Sequence, residues 1–242
     1  MIEKLKKIIC SLLPKRCAYC GDVIASDRLM CFECEKSLPR IEGTVCLKCG
    51  REKDECSCKR YAKYYVSIVA PFYFEGNVRK GLHAFKFRKS PDNADAYCVE
   101  MAQTVMQRLS DVNFDYIAEV PMTDKSIKAR GYNQCAMLAK GISEITGVEY
   151  IPGFLVKIYE TKNQHGLSYY LRKGNLTGVF DVADPSAVYN KTILLCDDVS
   201  TSGETFNECA KMLWLYGAKE VYCVACALTK AKKKDKNKTE RK

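Results

Sequence analysis

Eight of the chain's fifteen cysteines fall between Cys17 and Cys58, as four closely spaced pairs. The pairs read CAYC from Cys17, CFEC from Cys31, CLKC from Cys46 and the tighter CSC from Cys56. A C-x-x-C turn presents two thiolates to one tetrahedral ion, and Gly21 and Gly50 ease the turns after the first and third pairs. Eight thiolates suit two structural zinc ions in closed sites, with no ligand position left open for water. Sequential quartets, Cys17, Cys20, Cys31 and Cys34 followed by Cys46, Cys49, Cys56 and Cys58, keep both loops short and are preferred to a cross-braced arrangement. Buried free cysteines are the other reading, but so short and polar a segment has little core to bury them in. The odd total and the lack of an export signal argue against a disulfide framework, and a reducing cytoplasm is the expected compartment.

This density of cysteine divides the chain. Residues 1–15 place Ile2, Leu5, Ile8, Ile9, Leu12 and Leu13 at helical spacing, which predicts an amphipathic helix that packs on the protein or serves a partner or membrane surface. Charges interrupt it, so no membrane span is expected. Residues 16–60 form the expected double zinc ribbon, and residues 61–229 a larger domain. Residues 230–242 (KAKKKDKNKTERK) form a basic tail that holds +6 of the formal net charge of +10. The positive excess is therefore mostly a tail that attracts any polyanion without selecting one.

Beyond residue 60 the periodicity alternates. Residues 66–74, 116–120, 150–157, 192–196 and 221–228 read as strands, and 78–88, 94–109, 134–145 and 205–216 as helices, with a polar loop up to Val179. Strands separated by helices predict an α/β fold with a parallel sheet flanked by helices and ligand loops at the strand carboxyl ends. His83 and Trp214 read as packing residues in their helices, and His165 as a surface loop residue.

The stretch from Ile193 to Thr205 reads ILLCDDVSTSGET: a buried strand, two acids, a small hydroxyl-rich turn, then a helix. Backbone amides and hydroxyls there converge at a helix N-terminus, an arrangement that binds phosphate. It is no P-loop, because the lysine of that motif is missing. Asp197 and Asp198 would repel a bare phosphate but would accept hydrogen bonds from vicinal hydroxyls or hold magnesium. A sugar phosphate satisfies both halves. An N-capping loop after an acidic turn is the bland alternative.

CDDVSTSGET resembles the phosphoribosyl-pyrophosphate signature of type I phosphoribosyltransferases. EVPMTDKSIKARGYNQCAMLAK, from Glu119, and KNQHGLSYYLRKGNLTGVFDV, from Lys162, resemble two further motifs of the ComF family of competence-associated proteins. A double zinc ribbon ahead of the transferase domain fits the same family. The resemblance implies a phosphoribosyltransferase-like sheet, with ribose on Asp197 and Asp198. The phosphate falls to Ser200, Thr201, Ser202, Gly203, Glu204 and Thr205. A pyrophosphate loop follows Pro121, with Thr123, Lys125 and Ser126, and Lys128 and Arg130 nearby. The implied catalytic set is Asp197, Asp198, Arg130 and Lys125, working through positioning, magnesium and cationic donors. Lys86 and Arg88 are secondary anion contacts or, by the simpler reading, a solvated helix face. Gln164, Arg172 and Asn175 are implied to fix their loop or a second substrate. The implied activity moves ribose 5-phosphate from phosphoribosyl pyrophosphate to an unidentified acceptor, in the service of DNA uptake. The alternative is a non-catalytic, sugar-phosphate-regulated component that binds single-stranded DNA among competence proteins.

Overall fold

The computed structural model describes residues 14–56, 58, 63–87, 90–158 and 180–230. The expected N-terminal helix up to residue 13, the basic tail beyond Lys230, Arg88, and the loop with Gln164, His165, Arg172 and Asn175 lie outside the described residues.

Two apolar runs make the centre of the molecule. β7 (Thr192–Ser200) and β8 (Glu220–Leu228) pair in parallel from Thr192 opposite Glu220 to Ser200 opposite Leu228. Both read as nearly continuous apolar stretches because helices or strands cover both of their faces. Leu194 and Cys196 face one apolar cluster, and Ile193 and Leu195 the other, as the two-residue period of a strand requires. The sheet extends in the order β1–β8–β7–β3–β4, with every pairing parallel. β1 is Ser67–Val69, β3 is Tyr116–Glu119 and β4 is Glu149–Tyr150, while β2 (Phe72–Tyr73) continues along β8 beyond β1.

One face carries α2 (Gly76–Phe87), α3 (Ala94–Arg108) and α5 (Gln134–Thr146). The other carries α6 (Glu204–Leu215) and a two-stranded antiparallel ribbon of β5 (Leu155–Lys157) and β6 (Phe180–Val182). The parallel α/β reading therefore holds. Two of its strands break in two. Residues 66–74 split into β1 and β2 around Pro71, which cannot donate to a ladder. Residues 150–157 split at Pro152–Gly153, where Gly153 has φ 67° and turns the chain from β4 to β5. Two side chains are corrected as well: His83 is exposed, its ring 4.8 Å from that of Phe87, and Trp214 is 57% exposed beside Tyr64.

Among its described residues the cysteine-rich segment contains α1 (Phe32–Ser37), a short 3-10 helix at Lys53–Glu55, isolated antiparallel bridges and turns. It does not stand apart from the sheet. Cys17, Ala18, Tyr19, Cys34 and Leu38 belong to the same apolar cluster as α2 and α3, and Ile41 to the opposite one. Tyr97 Oη donates to the carbonyl of Ala18 at 2.8 Å. Arg40 makes a two-pronged pair with the buried Glu100 of α3, at 2.7 and 2.8 Å.

Candidate metal centres and sugar-phosphate site

The four-sulfur groups form as sequential quartets: Cys17, Cys20, Cys31 and Cys34, then Cys46, Cys49, Cys56 and Cys58, with the ligand atoms of each within 4.8 Å of one another. A tetrahedron with metal–sulfur bonds of about 2.3 Å has edges of about 3.8 Å. Sulfur separations of 3.6 Å for Cys20–Cys31, 3.8 Å for Cys49–Cys56 and 3.9 Å for Cys46–Cys58 match that edge. Backbone amides point at the sulfurs, from Cys34 to Cys31, Asp22 to Cys20 and Cys58 to Cys56. Asn77 Nδ2 of α2 lies 3.5 Å from the Cys34 sulfur. Donors placed around sulfur suit thiolates bound to a metal. The two quartets fit two structural zinc ions.

The remaining described cysteines take no part in this chemistry. Cys98, Cys135, Cys196, Cys209, Cys223 and Cys226 are buried. Burial pushes the Cys98 thiol up to about 12 and the other five well above the ordinary range. As neutral thiols they serve as small apolar core residues.

β7 runs four residues past Cys196, so the two acids lie within the strand, before its carboxyl end. Although they are consecutive in a strand, their carboxylates come within 4.8 Å of each other, against Cys135 and Gln134 of one helix. Asp198 is buried, and each of its oxygens already has a partner: Lys86 Nζ on Oδ1 at 2.8 Å and Gln134 Nε2 on Oδ2 at 2.9 Å. Asp197 is half-buried; its Oδ1 accepts from the Asp198 amide at 2.8 Å and lies 3.3 Å from the Cys135 sulfur. Burial, followed by the neighbouring Asp198 charge, pushes the Asp197 carboxyl up to about 7, and Lys86 only partly offsets them. Cys135, Asp197 and Asp198 lie close enough to share an ion. A neutral thiol is a poor partner for magnesium, which keeps waters and one or two carboxylates and takes the rest of its shell from substrate oxygens. The acid pair fits that limited part.

Of the two residues that hold Asp198, the sequence pattern gives Gln134 no role and reads Lys86 as a solvated face. The segment Arg130–Gln134, RGYNQ, is explained one residue at a time. Arg130 ends α4 (Asp124–Arg130) and lies over the Phe87 ring at 5.4 Å. Gly131 has φ 85° and closes that helix. Tyr132 Oη donates to the Phe85 carbonyl, which ties down the last turn of α2. Asn133 caps α5 by accepting from the Ala136 amide at 3.1 Å, and Gln134 reaches Asp198. The tied turn of α2 is the one that carries Lys86 inward. The solvated-face reading of Lys86 is thus overturned: its partner is 112 positions away in sequence, out of reach of any local pattern.

The other expected residues fall in two places. Thr201, Ser202, Glu204 and Thr205 are exposed around the start of α6, and Gly203, at φ 77°, begins the helix with no side-chain cap. The first-turn amides of α6 are therefore left to the loop and to whatever it binds. Ser200 is buried at the end of β7, and the Glu204 carboxylate pairs with Lys63 at 2.7 Å. After β3, the Val120 amide donates to the Cys196 carbonyl at 2.8 Å, so the following segment starts beside the acids. That segment forms the short helix α4, with Thr123 as its cap and Lys125 and Lys128 exposed.

Residues 8–64 match the family model "Double zinc ribbon domain". "DNA utilization protein YhgH" of Salmonella typhi is 26% identical over 217 residues, covering 88% of this chain and 90% of the relative. "Competence protein F" of Haemophilus influenzae is 25% identical over 216 residues, covering 85% and 93%. Among solved structures, glutamine phosphoribosylpyrophosphate amidotransferase from B. subtilis, complexed with ADP and GMP, is 23% identical. It covers 57% of this chain and 26% of that one at a TM-score of 0.37. Among the described residues no helix is long and apolar enough to cross a membrane.

Proposed function

We propose that this chain, a homologue of the ComF competence proteins with a double zinc ribbon and a phosphoribosyltransferase-like parallel sheet, binds phosphoribosyl pyrophosphate with magnesium. It transfers ribose 5-phosphate from there to an acceptor. The observation that carries this reading is one continuous element: two acids on β7, an exposed hydroxyl loop, and the uncapped N-terminus of α6. The 5′-phosphate sits on the Thr201–Thr205 loop and the ribose hydroxyls on Asp197 and Asp198. Lys86 offsets the charge of Asp198, so the acids do not turn away an anionic ligand, and Gln134 holds the carboxylate in place. Pyrophosphate lies towards the segment after Pro121, within reach of the Thr123, Lys125 and Arg130 side chains. Gln164, Arg172 and Asn175 serve the acceptor. When bound, magnesium neutralises charge on the departing pyrophosphate.

The reaction breaks the bond between ribose C1 and pyrophosphate and forms one from C1 to the acceptor. Charge develops on both fragments, so fixed dipoles and cations do the work. The relatives' names tie the chain to DNA utilization and competence. A reading without catalysis, as a sugar-phosphate-regulated component that binds single-stranded DNA in a reducing cytoplasm, draws on the basic tail at residues 230–242. Pyrophosphate release separates the two. Incubation with phosphoribosyl pyrophosphate, magnesium and a panel of bases and amines is expected to release pyrophosphate with at least one acceptor. Binding with no release from any acceptor would favour the second reading.

A further inference from the structure

We propose that Arg51, in the turn of the second cysteine quartet, sets the position of the phosphate loop, making the zinc ribbon a structural part of the sugar-phosphate site. The function of that loop rests on the reading above; its anchoring rests on geometry alone.

Arg51 is only 8% exposed, and a guanidinium so buried must spend its donors on the protein. Nε donates to the Thr229 carbonyl at 2.6 Å, and Nη2 donates to the carbonyl of Thr201, the first loop residue. Thr229 closes the triangle: its hydroxyl lies 3.3 Å from the same Thr201 carbonyl, and its amide donates to Ser200 at 3.1 Å. One side chain thus holds the end of β8 and the exit from β7 together. In a planar trans peptide the carbonyl and the following N–H point in opposite directions. Drawing the Thr201 carbonyl inward aims the Ser202 amide outward, on the side where the loop's hydroxyls are exposed. The guanidinium also leaves a fixed positive charge beneath the loop.

The anchor is itself fixed by the metal-binding turn. The Arg51 carbonyl accepts from the Cys46 amide at 2.7 Å, and the Gly50 amide donates to the Cys46 carbonyl at 2.8 Å. This turn lies directly on β1. The Ile68 amide donates to the Leu47 carbonyl at 3.2 Å, and a Cβ on Gly50 would stand 2.5 Å from the Ile68 carbonyl oxygen. The chain leaving the quartet holds the same loop from another side. Lys63 pairs with Glu204, the Tyr64 amide donates to Asn207 Oδ1 at 3.0 Å, and the Tyr65 hydroxyl stands 2.9 Å from where a Gly203 Cβ would be.

Hydrogen exchange of peptides spanning residues 200–207 tests the proposal in the full-length, ligand-free protein. Native mass spectrometry should confirm two zinc ions in each variant. In Arg51→Gln the loop amides should exchange at least about tenfold faster, as expected on losing two charge-assisted hydrogen bonds, with both ions retained. Binding of phosphoribosyl pyrophosphate with magnesium should weaken by a similar factor. Unchanged exchange in the variant overturns the proposal, whatever the wild type binds. If the wild type binds no phosphoribosyl pyrophosphate, the reading of the pocket fails, while the exchange result still decides the role of Arg51. Should Arg51→Gln fail to fold, Arg51→Lys keeps the charge, loses the fork and is read by the same two outcomes.

Discussion

At the residue scale, Asp197 shows how the site trades stability for ligand recognition. Its carboxyl is raised from 3.8 to about 7, first by burial and then by Asp198. The folded chain therefore holds this proton more tightly than the unfolded chain. Its contribution to stability is full below pH 3.8 and is lost as pH rises towards 7, above which the penalty is constant. The ionised form is the better acceptor for ribose hydroxyls. Affinity for phosphoribosyl pyrophosphate should therefore rise about tenfold between pH 6 and pH 8, following the ionised fraction. Asp197→Asn should lose that added pH dependence and most of the affinity while unfolding at higher denaturant at pH 8. Calorimetry and urea titration at the two pH values check both halves. The acids themselves could be read from sequence, because strand, acids, loop and helix follow one another within a few residues. Lys86, Gln134 and Arg51 could not, since each meets its partner across a long stretch of chain.

At the element scale, local pattern located the strands of the parallel sheet and the longer helices, but not β6, and failed where a neighbour sets the outcome. Trp214 has apolar neighbours in sequence, yet it lies on the outer side of α6 while Leu213 is fully buried. The segment after Pro121 was expected as an open loop, but Thr123 caps it as a helix by accepting from the Ser126 amide at 3.0 Å. Gly81 of α2 tests how closely the ribbon is packed. In an isolated helix, Gly→Ala would stabilise by about 1 kcal/mol. Here the added Cβ would stand 2.4 Å from the Ala18 carbonyl oxygen, 2.7 Å from Tyr97 Oη and 2.9 Å from the Tyr19 Cα. Two of these three are backbone atoms of the first quartet's turn, and overpacking of that kind costs about 1–3 kcal/mol. Gly81→Ala should thus lower stability by about 1 kcal/mol or more in urea unfolding, against the sign that helix propensity alone gives.

At the scale of the whole molecule, the shift in composition near Arg60 marks where the zinc ligands end, while packing continues across it. Ribbon residues fill the sheet's apolar clusters, Arg40 pairs with the buried Glu100, and Arg51 holds the phosphate loop. The ribbon sits where it can order the site, so the fold and the pocket stand or fall together. A sugar phosphate is the ligand that this pocket is expected to take. Thermal unfolding with and without phosphoribosyl pyrophosphate and magnesium tests it most directly. At one hundred times the dissociation constant a ligand adds about 2.7 kcal/mol, a rise of about 5–10 °C in Tm for a chain of this size. Such a rise, absent in Asp197→Asn, is the predicted result. No shift in the zinc-loaded wild type, or an equal shift in the variant, would contradict it.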